Sequence, residues 1–295
     1  MIITPTTLQN LQTGFSTSYQ RGFERTPQFT DAFTMTVPST TDLETYGWML
    51  DLADLREWVG PRTIRNFVTA SYQIRNKKYE LTYGVSVDEI EDDRLGLYDM
   101  KFELMGYRSK VWKDKLLATA LQAGVSTASF DGVNFFATTH PLNPAGNQSN
   151  NFTSSALTSA NYNTVRTSMI GYTSNNGDNL GIMPNLLVVP PQLEIAAREI
   201  VSIPTIATGG GNPYFGTAQV LVVPALANQA TTWYLMDTSS PIKPLVFQVR
   251  QAPMFAQQTS PDSDAVFHQD MYFYGVKARG GAGYGLWFNA ARSIA

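Results

Sequence analysis

The sequence predicts an α+β fold organised around one long helix, and three observations carry that prediction. Residues 95–124 read as a helix with two apolar rows. At 3.6 residues per turn Leu97, Met100, Leu104, Tyr107, Val111, Ala118 and Leu121 fall together, and Tyr98, Phe102, Met105, Trp112 and Leu116 form a second row. Upstream, Tyr72 and Ile74, then Tyr79, Leu81, Tyr83, Val85 and Val87, alternate at the period of two that marks β-strands. Downstream, residues 156–244 alternate short apolar strands with helical patterns, the signature of a compact α/β unit.

A surface helix needs a single apolar face. Two rows predict a beam with structure packed on both sides, roughly 40 Å long at 1.5 Å per residue. Polar columns separate the rows: Lys101, Arg108 and Lys115 in one, Glu103, Lys110 and Asp114 in the other. The acidic residues at 90–93 precede the helix where carboxylates favour an N-terminus, and Gly124 follows where glycines end helices.

A chain of 295 residues is long enough for one large or two modest cores. Its hydrophobic content of 43% excludes disorder. Charged residues are sparse and uneven: residues 1–150 hold 14 basic and 17 acidic side chains, residues 151–295 only 7 of each. The second half therefore has little charge to keep its surface solitary. A net charge of −3 without a long basic run argues against a dedicated nucleic-acid-binding face. The absence of cysteine excludes disulfides and thiolate sites. With no signal-peptide pattern at the start and no apolar run of membrane-spanning length, the sequence predicts a soluble chain made in the cytoplasm.

Taken in order, residues 1–44 are rich in Thr, Gln and Ser, with scattered aromatics, and Leu8, Leu11 and Phe15 on one face of a short helix. They read as an arm ordered by lying across something else, or as an extension packed on its own domain. Residues 45–92 read as a β-hairpin whose basic, polar tip is Arg75, Asn76, Lys77 and Lys78, preceded by an amphipathic turn or short helix at 48–59 stopped by Gly60 and Pro61. A hairpin of this kind is not stable alone; it either folds back on its own sheet or projects onto another subunit. After the long helix comes a turn at Asp131-Gly132, then a loop rich in turn formers. In the α/β unit Leu157, Tyr162, Val165, Met169 and Tyr172 mark a helix face; 186–189, 220–223 and 233–236 are strands; 192–201 is a helix with Pro190 and Pro191 before it. Residues 205–216 form a glycine-rich loop. The chain returns to strands at 245–249, 271–276 and 284–289, expected to rejoin the sheet beside the long helix and make that domain discontinuous.

Catalytic chemistry finds little support. His140 and His268 are the only histidines, and no G-x-S-x-G elbow accompanies them. Glu89, Glu91, Asp92 and Asp93 lack the alternating ligands and glycine of a calcium loop and read as helix caps. Gly209, Gly210 and Gly211, and the run 280–283, match no phosphate-binding motif and read as turns or mobile loops. The sequence predicts no enzyme, cofactor or metal site.

Several segments together resemble one family. The polar arm, the stretch IRNKKYELTYGVSVDEIEDDRLGLY, the long helix ending LLATALQAG, FDGVNFFATTHP and NLLVVPPQLEIAAREI are similar to the major head proteins of Mu-like phages and prophages over most of the chain. The resemblance implies an HK97-like capsid fold. Residues 1–44 would be the N-terminal arm and 45–92 the extended loop. Residues 93–155 would be the peripheral domain with the spine helix, completed by 241–295, and 156–240 the axial domain. It implies pentamers and hexamers of an icosahedral head enclosing double-stranded DNA, with scaffolding, portal and decoration proteins as partners, no membrane, and assembly in the bacterial cytoplasm. The loop tip, Arg75 to Lys78, would contact a neighbour, and Gly209, Gly210, Gly211 and Asn212 would lie near a symmetry axis. Some phages of this fold carry a Lys–Asn isopeptide cross-link, but nothing in the sequence identifies a partner asparagine and none is expected. The competing readings are an encapsulin-like compartment shell and a stand-alone α/β hydrolase or binding domain.

Overall fold

The computed structural model describes residues 5–49, 69–92, 96–141, 146–174, 177–206, 209–260 and 263–295. In chain order these form α1 (Pro5–Arg25), β1 (Thr34–Pro38), β2 (Leu43–Met49), β3 (Thr69–Arg75), β4 (Lys77–Ser86), α2 (Val87–Glu91) and α3 (Leu97–Ala123). There follow β5 (Asn151–Phe152), α4 (Ser159–Ile170), β6 (Leu186–Val189), α5 (Glu194–Val201), β7 (Gln219–Val222) and β8 (Thr232–Met236). The chain ends with β9 (Leu245–Gln258), α6 (Asp264–Gln269), β10 (Met271–Tyr284) and β11 (Ala290–Ile294). The sheets are a four-stranded β1-β9-β10-β4, a five-stranded β5-β11-β8-β6-β7 and a two-stranded β2-β3. Among the described residues no helix is long and apolar enough to cross a membrane.

α3 is the predicted long helix, and its second apolar row does the packing. Tyr98, Phe102 and Met105 are buried against β9 and β10, where Phe102 lies 4.7 Å edge-on from Tyr274. The first row divides. Ala118 and Leu121, near the C-terminal end, are buried in the larger core shared with the five-stranded sheet, whereas Leu97, Met100, Leu104 and Tyr107 face solvent. The helix is therefore a beam with both apolar sides covered only towards its C-terminal end. The acidic residues before it serve a different helix. Asp88 and Glu89 stand in the first turn of α2, Glu89 accepts a 2.7 Å hydrogen bond from Tyr98, and α3 starts at Gly96 with no side-chain cap.

The N-terminal segment opens with a 21-residue helix, longer than the short helix its apolar spacing predicts. It lies along α3 of its own chain, burying Phe15 and Tyr19 beside Phe102 and Phe255. The column Glu103, Lys110 and Asp114 is its seat. Arg21 and Arg25 pair with Glu103, Lys110 stands 4.6 Å above the Phe23 ring, and buried Asp114 accepts the Thr30 amide and hydroxyl at 3.1 and 2.6 Å. The helices approach so closely that a Cβ on Gly22 would strike the Glu103 carbonyl, and one on Gly106 the Tyr19 carbonyl.

The hairpin prediction is corrected by the pairing. β3 pairs antiparallel with β2, from Leu43↔Arg75 to Met49↔Thr69, and not with β4. β4 pairs with β10 as the edge of the four-stranded sheet. Alternation alone assigns two successive strands but cannot say that each prefers a different partner. The amphipathic stretch at 50–61 lies outside the described residues. The end of the chain also divides. β9 and β10 pair with each other beside α3, but 284–289 is not a strand: Trp287–Asn289 is a single 3-10 turn, and β11 beyond it pairs with β8 in the five-stranded sheet. The run 280–283 is the interior of β10, not a turn.

Replacing Gly106 by alanine tests the helix contact. Alanine favours an isolated helix over glycine by about 1 kcal/mol, but here its methyl group has no room, and overpacking costs about 1–3 kcal/mol. A net loss of stability of up to about 2 kcal/mol is expected in urea unfolding, with α1 the first segment to exchange its amides.

Candidate assembly surfaces

The surfaces able to meet another chain lie at the ribbon, the glycine-rich loop and the exposed row of α3. The ribbon β2-β3 is about 23 Å long at 3.3 Å per residue, and its root is fixed firmly. Ile74 is buried, and β10 makes room for it: a Cβ at Gly281 would come 2.7 Å from the Arg75 carbonyl, and one at Gly283 would overlap the Ile74 side chain. Polar contacts complete the seat. Tyr46 donates to buried Gln248 at 2.8 Å, Gln248 donates to the Ile74 carbonyl at 3.3 Å, and the Tyr284 amide donates to the Tyr72 hydroxyl at 3.3 Å. Burial pushes the Tyr72 phenol up to about 12.

Arg75, Asn76, Lys77 and Lys78 are at this root and not at a tip. Asn76 is buried, donating to Ser39 Oγ at 2.8 Å and to the Thr41 carbonyl at 2.7 Å, while Arg75 pairs with Asp42 at 3.9 Å. Lys77 and Lys78 lie in β4 opposite Gly280 and Arg279. The opposite end of the ribbon falls in 50–68, outside the described residues. The turn from β1 to β2 holds the root from the other side. The Glu44 carboxylate accepts from Ser39 Oγ at 2.8 Å and from the Thr40 and Thr41 amides at 2.8 and 3.0 Å, which lowers its pKa to about 2.

The described residues of the glycine-rich stretch make several backbone contacts. Ile206 and Gly210 form a backbone hydrogen bond of 2.9 Å, Gly209 takes a left-handed φ of 85°, and Thr205 bridges to Gly211. Asn212 anchors it by donating to the Ile200 and Ile203 carbonyls at 2.8 Å at the end of α5. Gly209, Gly210, Gly211 and Asn212 are thus together, and apolar Ile195, Ile203, Ile206 and Phe215 are exposed on or beside this loop and α5. Sequence reasoning missed these four because it followed the glycines. Exposed isoleucines in a charge-poor half of the chain were the available signal.

The histidines form no reaction centre. His140 is fully buried, stacked on Trp287 at 4.0 Å, with Nδ1 2.5 Å from Asp131 and Nε2 3.0 Å from Asn150 Oδ1. Asn150 in turn donates to the carbonyls of Phe135, Trp287 and Ala290. This network ties the 130–150 loop to the C-terminal strand and presents no nucleophile. His268 is exposed in α6, beside Phe267. Among the described residues no group of three or more His, Asp or Glu side chains could hold a metal.

The family model of the Mu-like prophage major head subunit gpT matches residues 8–156, 151–226 and 225–295. This chain belongs to that family. The major capsid protein of Escherichia phage Mu is 31% identical over 287 residues, covering 97% of this chain and 73% of the phage protein. The Mu-like prophage FluMu major head subunit of Haemophilus influenzae is 29% identical, covering 97% and 72%. A chain of the bacteriophage JBD30 procapsid superposes with a TM-score of 0.62 at 30% identity, covering 99% of this chain and 76% of that one. The fold is HK97-like, and α3 is the spine helix of a Mu-like major head subunit.

The Glu44 turn gives a measurable pH signature. Because its folded pKa lies below the ordinary carboxylate value of 4.5, its stabilising effect is complete above pH 4.5 and lost as pH falls towards 2. A carboxyl-carbon NMR titration should give a midpoint near 2, and S39A, which removes the largest contributor, should move that midpoint upward.

Proposed function

We propose that this subunit works as the repeating unit of an icosahedral head that encloses double-stranded DNA, assembling through pentamers and hexamers in the bacterial cytoplasm. Within it, residues 1–44 act as the N-terminal arm, α3 and the four-stranded sheet as the peripheral domain, the 156–240 region as the axial domain, and the ribbon β2-β3 as the extended loop. The observation that carries this reading is apolar side chain exposed at separate places on one chain: Leu97, Met100 and Leu104 on α3, Ile206 and Phe215 at the glycine-rich loop, and Phe267 in α6. A subunit enclosed by neighbours on several sides needs such surfaces. Each side chain removed from water contributes about 1.5–3 kcal/mol, and repeated weak contacts add up in a closed shell.

The ribbon supports the same reading. A two-stranded ribbon is marginal in water and gains stability by lying on a further surface, as an extended loop does on another subunit. Gly209, Gly210, Gly211 and Asn212 form a pinned loop suited to a symmetry axis, where copies of one surface meet. Scaffolding, portal and decoration proteins are the partners such a head requires. A net charge of −3 suits a container that does not grip its genome. The hydrolase reading finds no support at His140, which is buried and hydrogen-bonded to Asp131 and Asn150.

The test is sedimentation velocity with negative-stain imaging, with the scaffold co-expressed. Wild-type chain should yield shells or free rings of five or six. The double variant Ile206→Asp, Phe215→Asp should stay monomeric with an unchanged circular-dichroism melt. Normal shells from that variant would remove the loop from the axial contact, and a monomeric wild type would overturn the head reading.

A further inference from the structure

The outer edge of the four-stranded sheet carries a groove that none of the assembly features accounts for. β4 is the last strand there, so one row of its backbone N–H and C=O groups has no ladder partner among the described residues. α3 overhangs this edge and leaves a cavity of about 240 Å³ walled by Tyr79, Leu81, Trp112 and Val276. Its rim carries Arg108 and Lys115, both exposed and neither in an ion pair among the described residues. Trp112 Nε1 is buried in the same region with no hydrogen-bond partner. On the other face of the edge a second recess is lined by Lys78 and Lys277, with Glu80 opposite Lys277.

We propose that this edge docks an extended segment of a partner protein in which one apolar side chain is flanked, two residues to either side, by carboxylates. A strand added to β4 satisfies its open backbone groups and sends successive side chains to opposite faces. On the α3 face, an apolar side chain of leucine-to-phenylalanine size fills the cavity against Tyr79 and Trp112. On that same face, carboxylates two residues to either side of it meet Arg108 and Lys115 at the rim, while the intervening side chains, on the face of Lys78, Glu80 and Lys277, are uncharged. Charged side chains on an edge strand also discourage unwanted pairing, and Lys77, Lys78 and Glu80 serve that purpose by themselves. Arg108 and Lys115 stand on the helix and not on the strand, so edge protection does not explain them. A peptide is favoured over nucleic acid because the groove is apolar-walled, offers strand pairing, and places Glu80 where a phosphate backbone would run.

The probe is a fluorescein-labelled, end-capped heptapeptide with a central phenylalanine, glutamate two residues to either side of it, and threonine at the remaining positions. Its binding to the unassembled full-length chain is read by fluorescence anisotropy. Saturable binding is expected, weakened by roughly tenfold or more in the double variant Arg108→Glu, Lys115→Glu, whose exposed positions leave the fold intact. A probe methylated on alternate backbone amides should not bind, because it cannot pair with β4. Equal affinity for the double variant, equal affinity of the methylated probe, no saturable binding, or tighter binding of a short DNA duplex that displaces the peptide would each overturn the proposal.

Discussion

Close approach of backbone to backbone is the constraint on which the helical half of this molecule depends. α1 reaches the α3 main chain because Gly22 and Gly106 stand where any side chain would collide with a carbonyl. Once the helices are that close, everything around them becomes short-range. Phe15 stacks 4.4 Å from Phe102, Arg21 and Arg25 reach Glu103, and Asp114 can cap the turn that redirects the chain into β1. The aromatic cluster of Phe15, Phe102, Phe255 and Tyr274 is then closed on one side by helix and on the other by sheet.

The same device recurs at the ribbon. Gly281 and Gly283 leave a trough in β10, and Ile74 and the Arg75 carbonyl lie in it. The result is a rigid root, with Tyr46, Gln248, Tyr72 and Asn76 all hydrogen-bonded.

The two larger sheets are joined by the C-terminal segment. β10 runs beside β4 and β9, the chain turns at Trp287–Asn289, and β11 enters the other sheet between β5 and β8. The His140–Asp131–Asn150 network, roofed by Trp287, sits at that crossing. Its buried polar groups satisfy one another and the surrounding carbonyls, so the crossing has a unique geometry that apolar packing alone would specify less tightly.

The sequence by itself determined what depends on local periodicity. It placed α3 within two residues at its start and one at its end, the buried run 186–189, the helix face Tyr162–Val165–Met169, and, through resemblance, the HK97-like class. It did not determine partners. Strand alternation says that a segment is extended but not which strand it joins, so β3 and β4 read as one hairpin, and Arg75 to Lys78 read as its tip when they form its root. The sequence marked Leu8, Leu11 and Phe15 as one face of a short helix but not the full length of α1, because a Ser-, Thr- and Gln-rich helix takes its stability from Gly22, Tyr19 and Phe15 meeting α3, contacts made with residues some eighty positions away. The glycine-rich run 280–283 likewise read as a turn, since the sequence cannot show the ribbon that occupies the space side chains at Gly281 and Gly283 would fill. Tertiary structure decided each of these, because each depends on what a residue approaches and not on what precedes or follows it.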